Sequence, residues 1–138
     1  LTTYRFDTEE LDYDLTRANS LAELLNTEFY DSLSYKDMLL DFDVYTGTYD
    51  GSYENIYDEK VTVKVGIPSA ADLKFNNEED GYYLSSKSPR IKIYYYKEDL
   101  ISSNPGISRP IRPTISIEIP EISSGSGTVD DPFVIEVD

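Results

Sequence analysis

The chain has 138 residues, enough for one domain with its own core, and hydrophobic (39%) and aromatic (13%) fractions that argue against disorder. Its net charge of −15 argues against nucleic acid and against an anionic membrane surface, since both are gripped through Lys and Arg. Cys, His and Trp are absent, which excludes disulfides, thiolate catalysis, Cys/His zinc sites and a His-activated serine.

Residues 1–6 alternate apolar and polar side chains and predict a strand, followed by an acidic loop over residues 7–14. Ser20-Leu21-Ala22-Glu23 is a capping box, and Leu21, Leu24, Leu25 and Phe29 then line one helical face, which Leu33 continues. Residues 30–40 extend this helix or form a second short one, with Leu39 and Leu40 in the core either way. Val44-Tyr45-Thr46 is strand-like, and Gly47, Asp50 and Gly51 mark turns. Val61, Val63 and Val65 alternate with polar residues as a half-buried strand. Ser69-Ala70-Ala71-Asp72 is a second capping box that opens a short helix to about Phe75, and a polar turn follows over residues 76–81. Tyr82-Tyr83-Leu84 begins a β-rich end. Ile91, Ile93 and Tyr95 face one side of a strand and Lys92, Tyr94 and Tyr96 the other. Residues 114–119 form a further strand, whose start Pro110 and Pro113 keep out of a central ladder. A Ser/Gly turn over residues 123–127 leads to a closing strand over residues 133–137.

Residues 1–138 therefore read as a single domain, without internal repeat or linker. No apolar run approaches the length of a membrane span. The chain begins at Leu1, so a signal or membrane anchor is expected upstream, and membrane attachment is expected only through a segment outside this chain.

Tyrosine is the distinctive residue, with 13 copies against five Phe. Its apolar body and polar tip suit half-buried strands and also binding faces; packing is the leading expectation. Tyr94 and Tyr96 share a strand face, as a ligand platform or in simple cross-strand packing. With Tyr45, Tyr49 and Tyr53 in the turn-rich segment, they are the candidate ligand-binding residues. Arg112 is either a carboxylate ligand or a structural guanidinium bridging loop carbonyls, and the second is expected. Asp41, Asp43 and Asp50 lie in one oxygen-rich segment that is a weak calcium candidate, but Thr46 and Ser52 stand where an EF-hand needs Gly and Glu. Asp130-Asp131 is more simply a turn ahead of Pro132. The pattern implies no cofactor and no catalytic residue.

Five segments in order resemble modules of Gram-positive bacterial exported proteins. Leu25-Asn26-Thr27-Glu28-Phe29-Tyr30-Asp31-Ser32-Leu33 is similar to their Leu-Asn-x-x-Phe-Tyr-x-x-Leu helix. Lys64-Val65-Gly66-Ile67-Pro68-Ser69-Ala70-Ala71-Asp72 is similar to Lys-Val-Gly-Leu-Leu-Ser-x-x-Asp. Tyr82-Tyr83-Leu84-Ser85-Ser86 resembles Tyr-Trp-Leu-Ser-Ser, with Tyr83 for the Trp. Ile111-Arg112-Pro113-Thr114-Ile115-Ser116-Ile117 resembles Val-Arg-Pro-Val-Ile-Ser-Leu. Gly125-Ser126-Gly127-Thr128 through Pro132-Phe133-Val134-Ile135 resembles Gly-Ser-Gly-Thr-x-x-x-Pro-Tyr-Val-Ile.

The resemblance implies a C-type-lectin-like α+β fold of the formylglycine-generating-enzyme subtype. Two main helical segments and a twisted antiparallel sheet are then expected, with residues 1–6 paired to residues 133–137. It also implies structural roles for Tyr83, Arg112, Gly125, Gly127 and Pro132. The missing cysteines exclude the formylglycine-generating chemistry, and Glu-Pro-Asn, Gln-Pro-Asp and Trp-Asn-Asp, the triplets of calcium-dependent sugar binding, do not occur. The implied function is a non-enzymatic cell-surface or secreted domain for adhesion or ligand interaction, with a glycan or protein ligand. The alternative is the head of a pilin-like filament subunit that self-associates, and a divergent carboxylate-dependent enzyme ranks below both.

Overall fold

The computed structural model describes residues 3–75, 81–118 and 121–135. Leu1, Thr2, the polar turn at 76–80, Ile119 and residues 136–137 of the predicted last strand lie outside them.

Among the described residues the architecture is mostly β, with 34% strand, 19% helix, one helix of 12 residues and several small sheets. This corrects the expected α+β, lectin-like arrangement with two main helical segments. Helix α1 spans residues 21–32 and widens by one backbone register over Leu25–Phe29. Ser20 Oγ accepts from the Glu23 amide at 3.2 Å, and the Glu23 carboxylate accepts from the Asn19 amide at 3.2 Å. The helix stops where Leu33 turns extended (φ −78°, ψ 123°). The following Lys36–Met38 is only a 3₁₀ turn, because Leu39 is drawn into a strand. The second capping box forms by half: the Asp72 carboxylate accepts from the Ser69 amide at 2.8 Å and from its hydroxyl at 3.0 Å, but Ser69 Oγ accepts from the Ala71 amide at 3.2 Å rather than from that of Asp72. What it opens, Ala70–Phe75, is a 3₁₀ segment rather than an α-helix.

The strands are β1 (Thr3–Tyr4), β2 (Leu39–Leu40), β3 (Phe42–Tyr45), β4 (Lys60–Val63), β5 (Val65–Gly66) and β6 (Tyr82–Ser88). They continue with β7 (Lys92–Lys97), β8 (Asp99–Ser103), β9 (Arg109–Pro110), β10 (Thr114–Ile117), β11 (Ile122–Ser124) and β12 (Val134–Ile135). The sheets run β1-β9, β2-β10-β5, β3-β4, β6-β7-β8 and β11-β12, each pair antiparallel. Strand β10 is thus central in its ladder; Pro113 precedes the first paired residue, Thr114, and removes no ladder bond.

The N- and C-terminal strands do not join. Tyr4 pairs with Arg109, whereas β12 pairs with β11, in a separate sheet. The reason is local: the amides of Ser126 and Gly127 donate to Asp131 O at 3.1 and 3.0 Å, so the last ribbon closes on itself through a short loop. Its side chains Ile122, Phe133 and Val134 remain exposed, so these segments do not close the fold. Two smaller expectations also fail. Leu40 is exposed while Leu39 is buried, since adjacent strand residues point to opposite faces. Ile91 belongs to the β6–β7 turn at φ 56° and is 81% exposed, so only Ile93 and Tyr95 of that predicted face are buried.

In sheet β6-β7-β8 the strands β6 and β7 are covered on both faces, while the outer strand β8 is exposed at Asp99, Ile101 and Ser102. Tyr83, Ile93 and Tyr95 face a large cluster with Phe6, Tyr13, Leu21, Leu25, Val63 and Val65. Tyr82, Leu84, Tyr94 and Tyr96 face a second cluster around Ile56 and Ala70. Helix α1 is fastened to β5 by Asn26. Its Nδ2 donates to Ala22 O at 2.9 Å and Val65 O at 2.8 Å, and its Oδ1 accepts from the amides of Lys64 at 3.1 Å and Val65 at 3.0 Å. The buried Tyr13 hydroxyl also donates to Val65 O, at 3.0 Å, and burial pushes its pKa up.

Candidate functional site: a tyrosine face beside an acidic cleft

The loop from Thr46 to Glu59 folds back on itself and carries most of the site. Thr46 N donates to Glu59 O at 2.9 Å and Gly47 N to Ile56 O at 3.1 Å. Glycine is required at 47: a Cβ there would lie 2.1 Å from Asn55 O and 2.6 Å from Ile56 O. The next residues add to the edge of β6, with Lys87 N donating to Gly47 O at 3.1 Å and Tyr49 N to Lys87 O at 2.9 Å. Asp50 caps the loop tip, accepting from Ser52 N at 3.1 Å and Asn55 Nδ2 at 2.8 Å. Glu54–Asp58 then forms a 3₁₀ turn whose Ile56 is fully buried.

This folding gathers tyrosines. Tyr49 lies 5.2 Å from Tyr53 and 6.1 Å from Tyr94 between ring centroids, and Tyr45 meets Tyr57 edge-on at 4.8 Å. Across the sheet Tyr82 and Tyr96 are 5.9 Å apart. Such tilted and edge-on pairs are favourable for rings with opposed face and edge charge. Tyr94 Oη donates to Tyr49 O at 3.0 Å, which locks the loop to the sheet. Burial and then the hydrogen bond with Tyr53 push the Tyr49 pKa up. Tyr45, Tyr49, Tyr94 and Tyr96 are half-buried, whereas Tyr53 and Tyr57 are 54% and 51% exposed. The outcome is two braced ring sets, Tyr53–Tyr49–Tyr94 and Tyr57–Tyr45, each ending in one open tyrosine.

All five sequence-selected tyrosines, Tyr45, Tyr49, Tyr53, Tyr94 and Tyr96, fall in or against this second cluster. Tyr57 bounds the turn segment 45–57 that the sequence favours for a site without being among the named candidates, and Tyr82 lies outside them. The signal for Tyr57 was present: Tyr45, Tyr49, Tyr53 and Tyr57 recur every four residues through the segment.

Asp58 and Glu59 also line an adjoining cleft of about 680 Å³, with Asp12, Asp14, Thr46 and Lys60 among its other walls. Sequence reasoning did not identify this cleft, because its acids come from loops 44 or more residues apart. At its side Lys87, with a side chain only 15% exposed, sets its ammonium 2.8 Å from Asp12 Oδ1 and 2.5 Å from Glu59 Oε2. Burial lowers the Lys87 pKa, and the two carboxylates outweigh it, so the ammonium is held above its ordinary range. Hydrogen bonds from Thr16 keep the Asp14 carboxyl below its ordinary range.

The remaining candidates have other placements. Tyr83 is fully buried, and its hydroxyl reaches Asn104 O at 3.1 Å and also Ile107 O. Arg112 is half-buried with its guanidinium 5.7 Å from the Tyr82 ring centre. Gly125 and Gly127 take φ of 98° and 80° in the last turn, and a Cβ at 125 would lie 2.1 Å from Pro132 O. Pro132 itself is exposed. The weak calcium candidates are dispersed: Asp41 pairs with Lys64 at 3.2 Å and Asp43 with Lys60 at 2.8 Å, while Asp50 serves its own loop. Among the described residues no three acidic side chains converge as a metal site would need, and no helix is long and apolar enough to cross a membrane. Comparison with protein-family models, curated proteins and solved structures returned no match.

Proposed function

We propose that this chain is a non-enzymatic interaction domain of a bacterial surface or secreted protein, and that the tyrosine face meets its ligand. The observation that carries the reading is the exposed pair Tyr53 and Tyr57, braced by Tyr49 and Tyr45 over a fully buried Ile56. Rigid, half-exposed tyrosines supply contact area at low entropic cost, and they are enriched where proteins bind partners. The five segments similar to Gram-positive exported modules support the surface setting. The serines at 85 and 86 are spent on structure: Ser85 Oγ donates to Tyr45 O at 2.7 Å, and Ser86 Oγ accepts from Ala70 N at 2.9 Å.

The test is a glycan and protein binding array probed with the soluble domain, with and without calcium. Binding should be lost in Tyr53→Ala/Tyr57→Ala. Retained binding in that variant refutes the site, and hydrolysis or group transfer lost on replacing one cleft carboxylate refutes the non-enzymatic reading. A second reading, the head of a filament subunit, draws on the exposed Ile122, Phe133 and Val134 of the last ribbon. Concentration-dependent assembly abolished by Phe133→Ser would favour it.

A further inference from the structure

We infer that the tyrosine face takes a basic polypeptide segment, whose Arg and Lys side chains lie over Tyr53 and Tyr57 and reach the carboxylates of the adjoining cleft. This rests on the reading of that face as a binding surface. From Tyr49 to Glu59 the chain interleaves three tyrosines with Asp50, Glu54, Asp58 and Glu59, and no cation intervenes before Lys60. Tyr57 and Asp58 are successive residues of one turn, so the segment that carries the open rings also supplies part of the cleft wall. The cleft wall carries Asp12, Asp14, Asp58 and Glu59. Its one wall lysine, Lys60, is turned to Asp43 at 2.8 Å, Lys87 is shared by Asp12 and Glu59, and Arg17, bound to Asp7, adds its charge near Asp14, so the acids still outnumber the cations beside them.

The molecule already displays both contacts such a partner would make. The Lys87 ammonium between Asp12 and Glu59 is what a bound lysine would repeat at Asp14 or Asp58. The Arg109 guanidinium sits 4.2 Å from the Tyr95 ring centre, the cation–π contact an incoming arginine would make with an open tyrosine. Charge decides between partners. A neutral glycan would stack on the rings but offer the acids only uncharged hydroxyl donors, and a sulfated or uronic glycan would be repelled by them. A cationic peptide satisfies rings and carboxylates together, and the −15 net charge steers it inward.

The experiment is calorimetric titration of the intact chain with an Arg-Gly-Ser repeat peptide, its Glu-Gly-Ser counterpart and a neutral chitin oligosaccharide. The Arg peptide should bind, the Glu peptide should not, and Arg-peptide affinity should fall as salt rises. Tyr53→Ala/Tyr57→Ala and, separately, Asp14→Asn/Asp58→Asn should each weaken it at least tenfold. Glu28→Gln/Asp130→Asn, an equal loss of charge on the helix and the last turn, should change it less than twofold. Equal loss in this control and the cleft variant would mean that binding merely follows net charge, and the inference falls. No binding of the Arg peptide also overturns it. Ring-dependent binding of the oligosaccharide alone overturns the basic partner and leaves the binding face standing. Probes that bind without regard to Tyr53 and Tyr57 overturn both. Unchanged circular dichroism in each variant separates these outcomes from misfolding.

Discussion

Replacing Asn26 with Ala removes four hydrogen bonds at once. Two run from Nδ2 to Ala22 O and Val65 O, and two run to Oδ1 from the amides of Lys64 and Val65. Val65 is fully buried, so water cannot take over for its amide, whereas Val65 O keeps the Tyr13 hydroxyl. An orphaned buried amide costs about 1–3 kcal/mol, and each remaining bond is worth about 0.5–1.5 kcal/mol net, less where solvent can substitute. The sum is about 3–4 kcal/mol, a large share of the roughly 5–15 kcal/mol by which domains are stable. In urea, with a slope of about 2 kcal/mol per molar, the midpoint should drop by about 1.5–2 M at unchanged slope. Asn26→Asp keeps the acceptor, loses both donors and sets a charge against two carbonyls, so at neutral pH it should cost at least as much. A loss below about 1 kcal/mol in Asn26→Ala, measured by two coincident probes, would refute the clamp.

Asp7 is buried and accepts from Arg17 Nε at 2.8 Å and Nη2 at 3.0 Å. Burial raises its pKa, but Arg17 and the amides of Glu9, Glu10 and Thr8 outweigh this and hold it well below the carboxylate range. A depressed pKa stabilises the fold above the unfolded value, 3.8 for an ordinary Asp, and that stability is lost as pH falls below it. Acid titration of thermal stability should therefore fall less steeply below about pH 4 in Asp7→Asn, which starts about 1.5–3 kcal/mol less stable at pH 7. Gly47→Ala should cost about 2–3 kcal/mol through its clash with the 3₁₀ turn, and near-ultraviolet circular dichroism should show the tyrosine layer loosened. Tyr53→Ala and Tyr57→Ala should each cost only about 1–2 kcal/mol in urea melts, since half of each ring is already in water.

Local features of the sequence were legible where neighbouring residues decide them. The caps at Ser20 and Ser69, the apolar face from Leu21 to Phe29 and the opposite facing of Tyr95 from Tyr94 and Tyr96 depend on bonds or periods within a few positions. The candidate tyrosines were legible as residue types. Their assembly was not, because Tyr49 meets Tyr94 only through the Gly47–Lys87 pairing, and the cleft needs Asp12 beside Glu59 through Lys87.

By itself the sequence determined an acidic chain with no thiol or imidazole chemistry, one capped helix and a tyrosine-rich middle and end. Tertiary structure decided that the second helical stretch is only 3₁₀ turns, that the last ribbon pairs with itself, and that β6 and β7 are covered on both faces. The physical reason is that propensity and patterning act over one or two turns of chain. Which strand edges meet is a competition among long-range pairings: Leu39 leaves a helix for β10, and Tyr4 finds Arg109 rather than the final strand.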